Sequence, residues 1–439
     1  MNAEEALKQV FETFEPDVLI NFFRIIGVST LNPLKKSYDI QADASFFCIP
    51  YLLGTIRLEN EDELAVFTVK VVKSLTERSG KKAQYELAKK ILKTEDRYPA
   101  GIFIFHDDKN DFRFSLIYNI PQATGKRDWS NFRRYTYYLS KEQTNKTFLQ
   151  QITHADFSSV EKLTEAFSVE KVTKAFYSEL QNWYFWAMNM VEFPDDEDKD
   201  RNSRNAKNLI RLITRIIFIW FMKEKRLIPS SLFEKQFVDA ILNYNDKTGS
   251  TYYKTILQNL FFATLNTKMR KDDSKSRVFV EDAQKNGYIS DAYLQQGYYR
   301  YSRFIKDKEK FLREFENIPF LNGGLFECLD KKIDGKEVRI DCFSDNAKNE
   351  TRLKVPDEIF FCEEEVEANL SAFLGNNNKR KVRGLLPILK SYNFTTDENT
   401  PVDEEIALDP ELLGKVFENL LASYNPDTAV TARKATGSY

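Results

Sequence analysis

Gly54-Thr-Ile-Arg-Leu58, Glu59-Asn-Glu-Asp-Glu63 and Leu64-Ala-Val-Phe-Thr-Val-Lys-Val-Val72 follow one another without a gap. Two short β-rich runs flank a five-residue acidic turn, and that order predicts a hairpin. Phe46-Phe-Cys-Ile49 just upstream is a further β-rich run. Downstream, residues 76–93 read as a basic, polar helix containing Gln84. Ala100-Gly-Ile-Phe-Ile-Phe-His106 is a continuous apolar run, the pattern of a buried strand, while Phe112-Arg-Phe-Ser-Leu-Ile-Tyr118 alternates. Asp107-Asp-Lys-Asn-Asp111 between them is turn chemistry. Arg133-Arg-Tyr-Thr-Tyr-Tyr-Leu139 reads as a last strand. Ahead of all this, Leu7, Val10, Phe11, Phe14, Val18, Leu19, Phe22 and Phe23 recur at helical spacing, and Pro16 divides them into two short helices. Helix, strands, helix, strands is a compact α/β domain, expected to end near residue 155.

Beyond that point the period changes. Residues 157–265 are patterned as helices, broken by the acidic stretch Phe193-Pro-Asp-Asp-Glu-Asp-Lys-Asp200. A short hairpin is expected around Gly335, and 375–381 reads as a surface loop. The fold class expected is therefore α+β and multi-domain. An α/β domain fills 1–155, a mainly α-helical connector fills 156–400, and a further domain begins at 401–439. A length of 439 residues agrees with two to four domains.

Composition narrows the function classes. A hydrophobic fraction of 42% with 30% charged residues is ordinary globular material. The net charge of −2 argues against a dedicated nucleic-acid-binding domain, so any such contact must come from local patches. Four scattered cysteines with no C-x-x-C pair, and only two histidines, argue against a structural zinc site. Free thiols and an acidic start without a signal peptide suit the cytoplasm. Ile216–Met222 is too short to span a bilayer, so no membrane partner is expected. One local patch stands out. Arg204, Lys207, Arg211 and Arg215 recur in steps of three or four and share one helix face. Such a stripe either follows a phosphate backbone, or is a solvated face, or pairs with Asp195, Asp196, Glu197 and Asp198.

The end of the chain carries the most specific wording. Asp409-Pro-Glu-Leu-Leu-Gly-Lys-Val-Phe-Glu-Asn-Leu420 is an N-capped helix with one apolar face, and Lys434-Ala-Thr-Gly-Ser-Tyr439 follows. Together they resemble the entry to the methyltransferase domain of type I and type IIG adenine-N6 DNA methyltransferases. There, a D-P-E-x-L-G-x-x-F-E-x-L helix precedes a K-x-x-G-x-[FY]-Y-T-P loop. The segments Asn205–Pro229 and Pro319–Glu327 resemble the helical connector of the type IIG restriction–modification family. These pieces cover about a fifth of the chain.

The resemblance implies several things. The chain would be the front part of a bifunctional protein, cut off as its methyltransferase domain begins. That protein would methylate adenine N6 in specific double-stranded DNA with S-adenosylmethionine, and cleave unmodified DNA with Mg²⁺. Gly437 and Tyr439 would belong to the S-adenosylmethionine loop. Absent methyltransferase and target-recognition domains would be partners. A second reading is a non-catalytic helical DNA-binding or docking scaffold of a phage-defence system.

In this family the first domain is the endonuclease. PD-(D/E)xK chemistry needs an acid, then acid-x-Lys on the next strand, so that two carboxylates hold Mg²⁺ beside the lysine. Phe67-Thr-Val-Lys70 supplies Lys70, but Thr68 stands where the second carboxylate belongs. Asp62 and Glu63 are nearby acids but lie in the turn and match the motif poorly; Glu59 and Asp62 are the candidate metal ligands. Three outcomes stay open: an active nuclease, an inactive nuclease-like module, or another α/β fold. No glycine-rich cofactor loop and no N-P-P-Y-type motif for a flipped adenine occur in the chain, so it is expected not to transfer methyl groups by itself.

Overall fold

The computed structural model describes residues 1–76, 80–95, 97–121, 127–268, 277–285, 297–321, 323–375, 377–394, 403–405, 408 and 414. At 120, 121, 127–131 and 403–405 it describes the backbone alone. The chain forms two compact units. The first comprises Met1–Phe176 with the described residues of Lys390–Leu412, and the second is built on Tyr177–Leu389. The architecture is α+β, as the sequence pattern indicates.

In the first unit, α1 (Ala3–Glu12) starts on a capping box, with Asn2 and Glu5 each accepting the other's backbone N–H. α2 (Pro16–Ile25) starts with Pro16 in its first turn, where the missing N–H costs nothing. Six strands follow in sequence order: β1 (Leu31–Ser37), β2 (Tyr51–Arg57), β3 (Glu63–Lys70), β4 (Ala100–His106), β5 (Phe112–Pro121) and β6 (Arg127–Leu139). The hairpin expected across residues 54–72 is present, with β2 and β3 antiparallel and Arg57 opposite Glu63. Between β3 and β4 lies α3 (Lys81–Thr94), and the two strands it joins are parallel. A parallel pair requires such a crossover, so the helix between two apolar runs already implies this pairing. The other neighbouring pairs among these six strands are antiparallel.

β3 and β4 are apolar without alternation because both sheet faces are covered. Phe67, Val69, Phe103 and Phe105 pack on one face with Leu87, Ala88, Ile91 and Leu92 of α3. On the other face, Phe11 meets Phe112 at 5.4 Å and Phe23 meets Phe114 at 6.0 Å, ring centre to ring centre. Each such side chain, fully buried, contributes about 1.5–3 kcal/mol.

Two features of this sheet are absent from the sequence reading. β1 carries Pro33 and is exposed in six of its seven residues, so it has no hydrophobic pattern; it survives as an edge strand. Asp403–Glu405 adds a short strand parallel to β6, opposite Arg134–Thr136.

In the second unit, α6 (Val169–Met190), which begins in the first, follows α4 (Lys146–Ile152) and α5 (Val160–Glu165) of that unit. α7 (Arg201–Glu224) begins on Asp200, whose carboxylate accepts the N–H of Ser203. Trp183 is fully buried, and its indole donates to the carbonyl of Ile359 at 2.6 Å. Tyr253–Leu265 is a π-helical segment buried along its whole length. The hairpin around Gly335 is present, Lys331–Ile333 pairing with Lys336–Val338. Residues 379–381, read as loop, instead belong to a strand, Lys379–Val382, paired with Val366–Asn369. Three of its four residues are exposed, which hides it from hydrophobic patterning. Among the described residues, no helix is long and apolar enough to cross a membrane.

Candidate functional site

Side chains alternate along β3. Ala65, Phe67 and Val69 enter the core under α3, which puts Thr68 and Lys70 on the opposite face. Thr68 is buried, while Lys70, the last residue of the strand, reaches solvent. Lys70 lies beside His106, its register partner at the end of β4. The carboxyl end of a parallel strand pair is where open α/β sheets place their binding crevices.

Here the lysine has one carboxylate. Lys70 Nζ sits 2.7 Å from Asp108 Oδ1. The pair raises the lysine pKa and lowers that of the aspartate, and both groups are in solvent. The neighbouring Asp107 is buried and already committed. It accepts the backbone N–H groups of Leu75 at 2.7 Å, Lys109 at 2.9 Å and Asp111 at 3.1 Å, shaping the turn after β4. His106 stacks on Phe14 at 3.8 Å between ring centres. Burial pushes its pKa down to about 4, and its Nδ1 is buried without a hydrogen-bond partner. Cys48 joins the cluster through its backbone, donating to the Lys70 carbonyl at 2.9 Å.

Glu59 and Asp62 are not brought to Lys70. They precede the first residue of β3, and Lys70 is its last. Seven steps of strand are about 23 Å. Glu59 pairs instead with Lys162 at 3.3 Å, and Asp62 accepts from the Asn60 amide at 2.9 Å. Mg²⁺ takes octahedral oxygen ligands, with one or two carboxylates plus substrate phosphate. The residues at Lys70 do not fit that need: a buried hydroxyl and one carboxylate already held by the lysine. Among the described residues, no three His, Cys, Asp or Glu side chains converge as metal ligands.

The α7 stripe divides. Arg215 is buried. It donates to Asp341 at 2.9 Å and to the carbonyls of Leu325 and Glu327 at 2.9 and 2.8 Å, and it lies over Phe261 and Phe262. Arg204 is nearly buried. It pairs with Glu192 and donates to the carbonyls of Phe193 and Lys199. Lys207 is exposed and pairs with Asp198 at 2.8 Å, and Arg211 donates to Asn208 at 2.9 Å. The acidic stretch 193–200 thus caps α7 and neutralises part of its basic face. Gly437 and Tyr439 lie outside the described residues.

The sequence reading missed Asp108 as the partner of Lys70. The signal was available: Asp107-Asp108 directly follows β4, and a parallel β3–β4 register brings that turn to the end of β3.

No protein-family profile matches the chain, and no solved structure matches it. Over 214 residues it is 24% identical to a protein of Methanocaldococcus jannaschii named "Putative type II restriction enzyme and methyltransferase". The matched stretch is 48% of this chain and 12% of that relative, so the chain spans a small part of the relative's length.

Proposed function

We propose that this chain serves a type IIG restriction–modification system, with double-stranded DNA as its partner. The first unit is a nuclease-like module whose metal site is degenerate, and the second is a helical connector. Joined to methyltransferase and target-recognition regions, the system methylates adenine N6 using S-adenosylmethionine. The observation that carries the reading is the end of β3. Lys70 projects where an acid-x-Lys nuclease has its lysine, yet among the described residues the one carboxylate it pairs with is Asp108, and it shares its face with Thr68. The likeness to a named restriction enzyme and methyltransferase supports the DNA partner. In the second unit, Lys207 and Arg211 are the stripe residues that reach solvent for phosphate contact.

Labelled S-adenosylmethionine tests the division of labour. Incubated with mixed-sequence DNA, the chain alone is expected to transfer label at background level. Supplying the methyltransferase region is expected to place the label in N6-methyladenine. Robust transfer by the chain alone contradicts the proposal, and so does label found in cytosine.

A further inference from the structure

We propose that the solvent face of α3 docks the first unit on the phosphate backbone of double-stranded DNA. The inference rests on the reading of this chain as a DNA-acting protein, and assigns that partner a surface the resemblance does not. Residues 73–93 contain seven Lys or Arg against two Glu, in a chain whose net charge is −2. At 100° per residue, Lys82, Lys89 and Lys93 fall within about 20° of a common line. They span about 16 Å of helix, the length of several phosphates on one strand.

The opposite face of α3 fixes their position. Leu87, Ala88, Ile91 and Leu92 are buried in the core under the sheet, so the stripe is carried on a rigid support. Lys82 and Lys93 are exposed, and the half-buried Lys89 holds its Nζ over the Tyr85 ring, 5.6 Å from the centroid. Among the described residues, these three lysines have no ion-pair partner. That is the difference from α7, where Arg204, Lys207 and Arg215 are each paired with a carboxylate. A cation that already has a carboxylate must give it up to bind phosphate, whereas an unpaired one exchanges only its counterion. Glu86 lies on the same face and offsets one charge.

The start of the helix points the same way. Its first turn holds Lys81 and Lys82 and no acid, and Gly80 provides no side-chain cap. Cations at the positive end of a helix dipole are unfavourable, and a nearby phosphate relieves them.

The test measures binding of the whole chain to a fluorescent mixed-sequence duplex across a salt series. Four proteins are compared: wild type, Lys82→Gln/Lys89→Gln/Lys93→Gln, the same three positions changed to Arg, and Lys207→Gln/Arg211→Gln. Loss of three phosphate contacts flattens the slope of log affinity against log salt by about 2 to 3. The α3 variant is expected to show that change, the α7 variant a smaller one. Lys→Arg at the same three α3 positions is expected to restore the slope, which separates charge from folding damage. A wild-type slope retained in the α3 glutamine variant overturns the proposed surface while leaving the DNA reading intact. Failure of the wild type to bind duplex even at low salt overturns the DNA reading and this surface with it.

Discussion

Arg215→Ala is expected to destabilise the second unit by about 3–5 kcal/mol, the cost of leaving one member of a buried ion pair alone. Asp341 is buried to 1% exposure, and Arg215 is its 2.9 Å partner. The same guanidinium also satisfies the carbonyls of Leu325 and Glu327, so truncation strips three acceptors at once. Three of the four tryptophans, Trp183, Trp186 and Trp220, belong to this unit, so fluorescence during urea unfolding reports on it. Arg215→Met combined with Asp341→Leu is expected to recover most of the loss, because it removes both charges from the interior. A loss below about 1 kcal/mol for Arg215→Ala would mean that this arginine is solvated and free to meet phosphate. The result also bears on binding assays: weaker DNA binding in an Arg215 variant would reflect damage to the fold.

The second large effect is on pH. Burial against Phe14 holds the His106 imidazole neutral, with a pKa of about 4 against an ordinary value of 6.5. The unfolded chain therefore binds this proton more readily than the folded one between those values. Stability from this site is fully present above pH 6.5 and drains away as the pH falls toward 4. A shift of this size corresponds to about 3 kcal/mol. His106→Phe keeps the stacked ring and removes both the titration and the unpartnered Nδ1. Denaturation midpoints of the two proteins from pH 4 to 7 isolate the effect, since every other titrating group is common to both. The variant is expected to gain on wild type steadily as the pH drops. Parallel curves would show that His106 has the same affinity for protons folded and unfolded.

The parts of this molecule that were legible in sequence are those set by local physics. Pro16 divides α1 from α2, the acidic turn 59–63 folds the β2–β3 hairpin, and the apolar runs at 64–69 and 100–105 become the buried centre of the sheet. What escaped is set by partners distant in the chain. The spacing of Arg204, Lys207, Arg211 and Arg215 was readable as a stripe, but Asp341, which holds Arg215, lies 126 residues further on. Asp403–Glu405 reaches β6 across more than 260 residues, and nothing local announces it. β1 was hidden by Pro33 and its exposed side chains.

The candidate site shows the same division. Thr68 in place of an acid was plain from the order Phe67-Thr-Val-Lys70, and alternation put Thr68 and Lys70 on one face. The choice of acid was not. Glu59 and Asp62 are close to Lys70 in sequence and at the far end of the strand in space, whereas Asp108, 38 residues away, is in contact.

The central claim is that the first unit has a nuclease's layout without its metal site. Nicking of supercoiled plasmid in Mg²⁺ and in Mn²⁺, by wild type and by Lys70→Ala, tests it most directly. The account predicts slow cleavage or none, with no difference between the two proteins, because among the described residues Asp108 is the one carboxylate paired with Lys70 and Thr68 cannot supply the second charge. Efficient cutting by wild type that Lys70→Ala abolishes would contradict it.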